Sequence, residues 1–510
     1  MEQEITGQET MQLTTRTEKL SFERIVSQKQ EQVIIEGEAT LPGSMRDAVT
    51  VLSVQAQVHI TGVKPGIGET CVKGHVRFQA MYTQGDLTRI RTLETRCDFD
   101  CALAMEGVTP GTHVNVHAVV QETQGSAASG RMTLRAIVDI QAEAREKLER
   151  EWIADVRDRT DGENLQKQMQ TVLRCIRMTL GENRTLVRQE FELPARQGAA
   201  DVLSVTATAE AEEFSGGNGR TGVSGVIQVR TLHRPLEKGR PLVHIQHELP
   251  YDLMIDAQLP ENLQPNALVE VTDVMADCTS NGDAYILRIE AEVKVVLYTY
   301  QRTECQLLED VYSLSGPALE PVCETTHILS SERVCDVRES LRLQVTLASD
   351  ALPIDTVLAV TAFPAIADIQ PSGRRLDVSG IMSVTLIYLP IDSDIPCSIQ
   401  CREPFAMTFP VEAGPSAKVQ AYTIEAIPGP ATSDRAEVRC VLGLHADECE
   451  MQPVRGISAL EEISQEKRER GFIIVWPAEG ETKWDTARRL RVAQESLKPA
   501  GGRALLAFRK

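Results

Sequence analysis

The sequence predicts a mainly β protein: three tandem β-rich, sandwich-like units, then a small C-terminal segment ordered strand, helix, helix, strand. Three observations predict this. A stretch beginning at Asp47 (DAVTVLSVQAQVHI) recurs at Ala199 (AADVLSVTATAEAE) and at Ile354 (IDTVLAVTAFPAIA). Within each copy, apolar and polar residues alternate with period two, as on a half-buried strand. Each copy then meets glycine-containing turn residues and returns in a second alternating run.

The register between copies is readable. Leu52, Leu203 and Leu358 anchor it, 151 and 155 residues apart. Each is followed 22 residues later by a glycine: Gly74, Gly225 and Gly380. In the first copy Leu52, Val54, Ala56, Val58 and Ile60 alternate with Ser53, Gln55, Gln57 and His59. In the second, Leu203, Val205, Ala207, Ala209 and Ala211 stand against Thr206, Thr208 and Glu210. The third carries Pro364 late in its strand, which suggests an edge or a strand end. The turns are Pro65-Gly66-Ile67-Gly68, Gly216-Gly217-Asn218-Gly219 and Pro371-Ser372-Gly373. An aromatic follows each glycine at Phe99, Tyr251 and Phe405, and a later strand recurs at Leu134, Leu287 and Val438.

These marks divide the chain into a first β repeat (1–145), a helical connector with the second repeat (146–310) and a third repeat (311–452). A charged linker (453–470) and a tail (471–510) follow. The connector is expected as a helix over 143–157, where Leu148, Trp152 and Val156 stand four apart. Leu165, Met169, Val172, Leu173, Ile176 and Leu180 also fit a helical stripe, whereas the repeat register asks for a strand over 172–180. The reading is a short helix to Met169, then a strand.

With 510 residues, 42% hydrophobic and 25% charged, the chain is an ordinary folded protein of several domains. Its net charge of −20 argues against sequence-independent nucleic-acid binding and against anionic membrane surfaces. No apolar run reaches the length of a membrane span. The opening MEQEITGQETMQL has no basic or apolar leader region, so a cytoplasmic protein is expected.

Sites for chemistry are sparse. Phosphate-loop, HExxH and GxSxG patterns are absent. Twelve cysteines include no CxxC pair. Cys97 and Cys101, like Cys397 and Cys401, lie four apart, which on a strand separates the sulfurs by roughly 13 Å. The same spacing separates His113 from His117; His244 and His247, three apart, point to opposite faces of a strand. No carboxylate pair recurs in all three copies. No catalytic residue, metal or cofactor is therefore expected. The rival reading, a hydrolase, requires a clustered polar pocket in a single repeat.

The tail reads GFIIVWPAEGETKWDTARRL from Gly471. Phe472–Val475 is a short strand, Pro477–Gly480 a turn, and Thr482 caps a helix through Trp484, Ala487, Leu490 and Arg491. Val492–Leu497 reads as a second helix and Arg503–Arg509 as a closing strand. This order, with Gly480-Glu481-Thr482-Lys483-Trp484, Thr486-Ala487 and Leu497, resembles a LysM domain. The upstream units resemble SPOCS domains of spore-coat proteins, through the VLSV/VLAV strand, the V-x-G strand and Pro250-Tyr251 or Pro404-Phe405. Tandem SPOCS units ending in LysM resemble the SipL-type spore-coat morphogenetic proteins.

The resemblance implies a non-enzymatic structural adaptor in the mother-cell cytoplasm at the forespore surface. Its LysM-like tail would dock on the sporulation morphogenetic ATPase of the coat basement layer and recruit other coat proteins. The charge pattern agrees: from Gly471 onward eight Lys/Arg face four Asp/Glu, a basic knob on an acidic body. The partner-binding candidates are Trp476, Pro477, Thr482, Lys483, Trp484, Arg488, Arg489 and Arg491. Trp484 is either a contact or core of a forty-residue domain, and Trp476, beside a turn, is read as the exposed contact. The alternative is a protein binding peptidoglycan or another glycan in the wall or cortex, for which Pro499-Ala500 stand where the family's loop asparagine is usual.

Overall fold

The computed structural model describes residues 13–41, 49–84, 89–159, 164–194, 199–217, 219–235, 242–260, 263–281, 284–410, 417–463, 471–501 and 503–509. Among these residues strands dominate, in seven antiparallel three-stranded sheets. The first unit holds β1 (Leu13–Thr40), β2 (Val49–Pro65), β3 (Glu69–Gln84), β4 (Arg91–Ala104), β5 (His113–Ala128) and β6 (Arg131–Asp158). The second holds β7 (Leu165–Pro194), β8 (Ala199–Gly217), β9 (Arg220–Pro235), β10 (Val243–Ile255), β11 (Pro265–Asn281) and β12 (Ala284–Ser313). The third holds β13 (Ala318–Thr346), β14 (Ile354–Ser372), β15 (Arg375–Pro390), β16 (Cys397–Phe409), β17 (Lys418–Ala431) and β18 (Arg435–Ile463).

The sheet orders β1-β6-β5 and β2-β3-β4 return as β7-β12-β11 with β8-β9-β10, and as β13-β18-β17 with β14-β15-β16. In each unit the central strands of the two sheets supply the core. In the first, Val72, Val76, Phe78 and Ala80 of β3 and Met132, Leu134, Ala136, Val138 and Ile140 of β6 belong to one fully buried cluster. A fully buried side chain of the size of Val or Phe contributes about 1.5–3 kcal/mol. The architecture is β-rich and repetitive, as the period-two pattern predicts.

The expected helices are strands. Residues 143–157 continue β6 and pair with β1 as far as Asp158↔Leu13. Residues 165–169 open β7, which pairs with β12 from Leu165↔Ser313. The misreading has a simple cause: Leu148, Trp152 and Val156, four apart, share one face of a strand as readily as one face of a helix. Strand pairing thus carries the first unit to Asp158, and there is no helical connector among the described residues. The expected linker is also part strand, since β18 reaches Ile463 paired with Ala318. The remainder of that linker, 464–470, lies outside the described residues.

Among the described residues the units meet through three apolar clusters, the smallest of them around Ile153, Leu308 and Ile457. One gathers Leu52 and Met81, Leu203 and Leu232, and Leu358 and Ile387. The three leucine anchors of the sequence therefore converge in space, each at most 3% exposed. Another joins Phe22, Leu148 and Trp152 to Val172 and Leu307 and to Ile328 and Val454. The extended ends of β1/β6, β7/β12 and β13/β18 supply this second junction, which is why those strands outrun their sandwiches.

Candidate functional site

The C-terminal unit comprises β19 (Gly471–Val475), α1 (Lys483–Leu490), a single 3₁₀ turn at Gln494–Ser496, β20 (Lys498–Gly501) and β21 (Ala504–Arg509). The expected second helix is only that turn, and β20 adds a strand, giving a sheet ordered β19-β21-β20. Thr482 caps α1 as predicted: its Oγ1 accepts from the Asp485 N–H at 3.1 Å, while Asp485 accepts from the Thr482 N–H at 2.9 Å. Asp485, one turn in, holds its carboxyl below the usual range through the Thr482 hydroxyl and N–H.

One face of this unit is buried against the segment joining the second and third units. Trp484 Nε1 donates to Asp310 Oδ2 at 2.7 Å, and Arg488 Nη1 lies 3.2 Å from the same oxygen. The Tyr312 hydroxyl donates to the Val492 carbonyl at 2.8 Å, and its ring meets Trp484 edge-on at 5.0 Å. Arg491 donates to the carbonyls of Ser313, Gly316 and Pro317 at 2.8, 2.9 and 3.1 Å. Arg491 also ends α1 in the left-handed conformation, at φ 53°. That conformation is costly for a residue with a Cβ, and here three carbonyl contacts hold it.

The opposite face is open. β19 is apolar throughout, so alternation turns Ile473 and Val475 toward α1 and leaves Phe472 and Ile474 outside, 78% and 56% exposed. Trp476 follows at 68%. Phe508 of β21 stands opposite Phe472 in the ladder, with ring centroids 5.0 Å apart. The result is a strip of exposed aromatic and aliphatic surface on one side of a basic mini-domain.

The structure thus separates the predicted contact residues. Trp476 lies in the exposed strip, with Pro477 half-buried beside it. Thr482 and Lys483 are exposed at the start of α1. Arg489 is half-exposed and paired with Glu481 at 2.9 Å. Trp484, Arg488 and Arg491 face Asp310–Pro317 of the same chain. The sequence reading missed Phe472, Ile474 and Phe508. The available signal was FIIVW itself, since a strand in a two-layer mini-domain that is apolar at every position must show half of its side chains to solvent.

Residues 47–127 match the family model described as SipL, SPOCS domain. The match supports a sporulation-related protein in a spore-coat context. It spans β2 to β4 and nearly all of β5, including Leu52, Gly74 and Phe99. Compared with the curated proteins and with the solved structures, the chain has no match. No helix among the described residues is long and apolar enough to cross a membrane.

Within the body, a charge cluster ties the first unit to the third. Arg145 donates to both oxygens of the fully buried Glu332, at 2.7 and 3.1 Å, and to Glu143 at 2.6 Å. Lys418 also pairs with Glu143. Glu332, Asp447 and Cys449 lie close enough together to share one ion. The Arg145 guanidinium already reaches Glu332 and Cys449, so this group is a structural network built around an arginine.

Proposed function

We propose that the chain is a non-enzymatic structural adaptor of spore-coat assembly. Its LysM-like unit docks on the sporulation morphogenetic ATPase at the mother-cell side of the forespore, and its SPOCS-like units recruit coat proteins. The observation that carries this reading is the exposed strip Phe472, Ile474, Trp476 and Phe508 on a unit whose other face is fixed to the body. Trp, Tyr and Arg are the residue types that most often dominate the energy of a protein interface, and Trp476 stands in this strip.

The test is binding of the full chain to the purified ATPase, with Phe472→Ala and Trp476→Ala as probes. Each substitution is expected to weaken binding about tenfold or more. Lys483→Ala, at the exposed start of α1, should act more weakly and chiefly through salt dependence. Binding that ignores both aromatic substitutions would move the docking site elsewhere, and binding to purified peptidoglycan alone would favour the glycan reading.

A further inference from the structure

The polar faces of the repeat strands β2, β8 and β14 do not look onto open solvent. Ser53, Ser204 and Thr361 are only 4, 7 and 5% exposed. They belong to the side of each strand that faces the other units. Beside the leucine junction these faces enclose a chamber of about 650 Å³, to which Gln55 and Gln57, Thr206 and Arg230, and Thr361 and Glu425 contribute from the three units in turn. Its open side lies at His244 and Gln246 of the edge strand β10.

The polar groups of this chamber are under-used. Thr208, Thr361 and Thr423 each have a buried hydroxyl with no hydrogen-bond partner, and Arg230 Nε has none. The nearest acid to Arg230, Glu425, is 3.7 Å away, too far for a hydrogen bond. Burial pulls the Arg230 guanidinium below its usual range, against the opposing pull of Glu425. The other facing ions are satisfied: Arg77 pairs with Glu94 and with Asp273, donating to the latter at 3.0 Å.

The chemistry selects a class of ligand. An anion placed at Arg230 would meet Glu425, and a cation placed at Glu425 would meet Arg230. A hydroxyl suits both, accepting from the guanidinium while donating to the carboxylate. Unpaired threonine hydroxyls and the amides of Gln55 and Gln57 can each donate and accept in the same way, and the Phe363 and Tyr422 side chains offer apolar faces in the wall. The volume falls in the range of small-molecule sites, about 300–1,000 Å³. We propose that the chamber where the three units meet binds an uncharged, polyhydroxylated small molecule of mono- or disaccharide size.

The experiment is saturation-transfer NMR of maltose with the full chain, followed by titration calorimetry. Transfer to maltose is expected, and Arg230→Gln should weaken binding about tenfold by removing a charged donor. Thr361→Phe, which fills the chamber, should abolish it. Melting temperatures report whether these variants fold. Gln246→Ala, at the open side, keeps the test alive if a buried variant does not fold, and a several-fold loss is expected there too. Gluconate and glucosamine serve as charged counterparts. The proposal is overturned if maltose at about 10 mM shows no transfer, which leaves a chamber filled by water only. It is equally overturned if all variants bind alike, or if either charged sugar binds more tightly than maltose.

Discussion

Tyr251 stands directly across the ladder from Gly225, its hydroxyl occupying the space a Cβ on that glycine would need. The hydroxyl donates to the Glu210 carbonyl at 3.0 Å, on the next strand over. Gly74 faces Phe99 and Gly380 faces Phe405 in the same register. An aromatic laid over a strand glycine restores the cover that the missing side chain cannot give. A Cβ added at Gly225 would lie 1.9 Å from the Glu210 carbonyl oxygen, and one at Gly380 2.1 Å from that of Ala365. Backbone cannot yield there as a flexible side chain would. Gly225→Ala is expected to destabilise by about 1–3 kcal/mol or more, read by chemical denaturation. Gly62→Ala, whose Cβ would meet nothing closer than Lys73 Cβ at 4.0 Å, is the control and should change little.

Leu203 and Leu287 are both buried leucines, yet they hold different things together. Leu287 lies within the sandwich core of the second unit, and Leu203 in the junction shared by all three. Truncation of either to alanine is expected to cost about 2–5 kcal/mol. The outcomes diverge in hydrogen exchange. Leu287→Ala should speed exchange across β9 and β12. Leu203→Ala should loosen all three units together, because its contacts include Leu52 and Leu358 partners from the other two. Faster exchange confined to the second unit would refute the shared junction.

The repeat was legible because its anchors carry structural duties that no other residue type fills: a leucine at a three-way junction, and a glycine beneath an aromatic. Period two gave the strands, and Thr482 gave the helix start. What stayed hidden was long-range. Trp152 reads as a helical position until its neighbours Phe22, Val172 and Ile328 are known, and those come from distant strands. The polar run Ser53, Gln55, Gln57 reads as a solvent face, since nothing local says that two further copies of the same face will close over it. Trp484 and Arg491 read as candidates for binding a partner protein, and nothing local says that they meet Asp310 and Ser313, more than 170 residues away in the same chain.

His117 offers a pH dependence with a defined sign. It belongs to the first unit, and its ring lies 5.4 Å from that of His445 in the third. Burial, then His445, Arg177 and Lys418, push it down to about 4, against the opposing pull of Glu143. Between that value and about 6.5, the unfolded chain binds the proton and the folded chain does not. Stability contributed by neutral His117 is therefore complete above about 6.5 and is lost as pH falls toward 4. His445 works in the opposite direction: burial lowers it, but the 2.8 Å contact with Asp336 raises it overall. Asp447 is likewise raised, chiefly by burial and then by Glu332 and Glu143, and this too opposes the loss. The clean measurement is a difference between proteins. His117→Asn should lose less melting temperature than the native chain on going from pH 7 to pH 5, and equal losses would exclude His117 as the titrating group.

Asp310 is the hinge of the C-terminal attachment. It receives the Trp484 indole and the Arg488 guanidinium, and it is 3% exposed. Replacement by alanine leaves a buried indole N–H without its acceptor, a loss of about 1–3 kcal/mol at that contact. The three sandwich cores do not include Asp310, so their unfolding should be unchanged. Arg491→Gly separates two effects at the neighbouring anchor. Glycine relieves the left-handed strain at the end of α1, which favours the helix end, but removes the donors to Ser313, Gly316 and Pro317. If the attachment dominates, Asp310→Ala and Arg491→Gly should both accelerate hydrogen exchange at Tyr312–Ser313 and across α1, while β3, β9 and β15 stay protected. If instead exchange at Tyr312–Ser313 is unaltered in both variants, the C-terminal unit is held by its apolar contacts alone, through Trp484, Leu490 and Val492 packed on Tyr312.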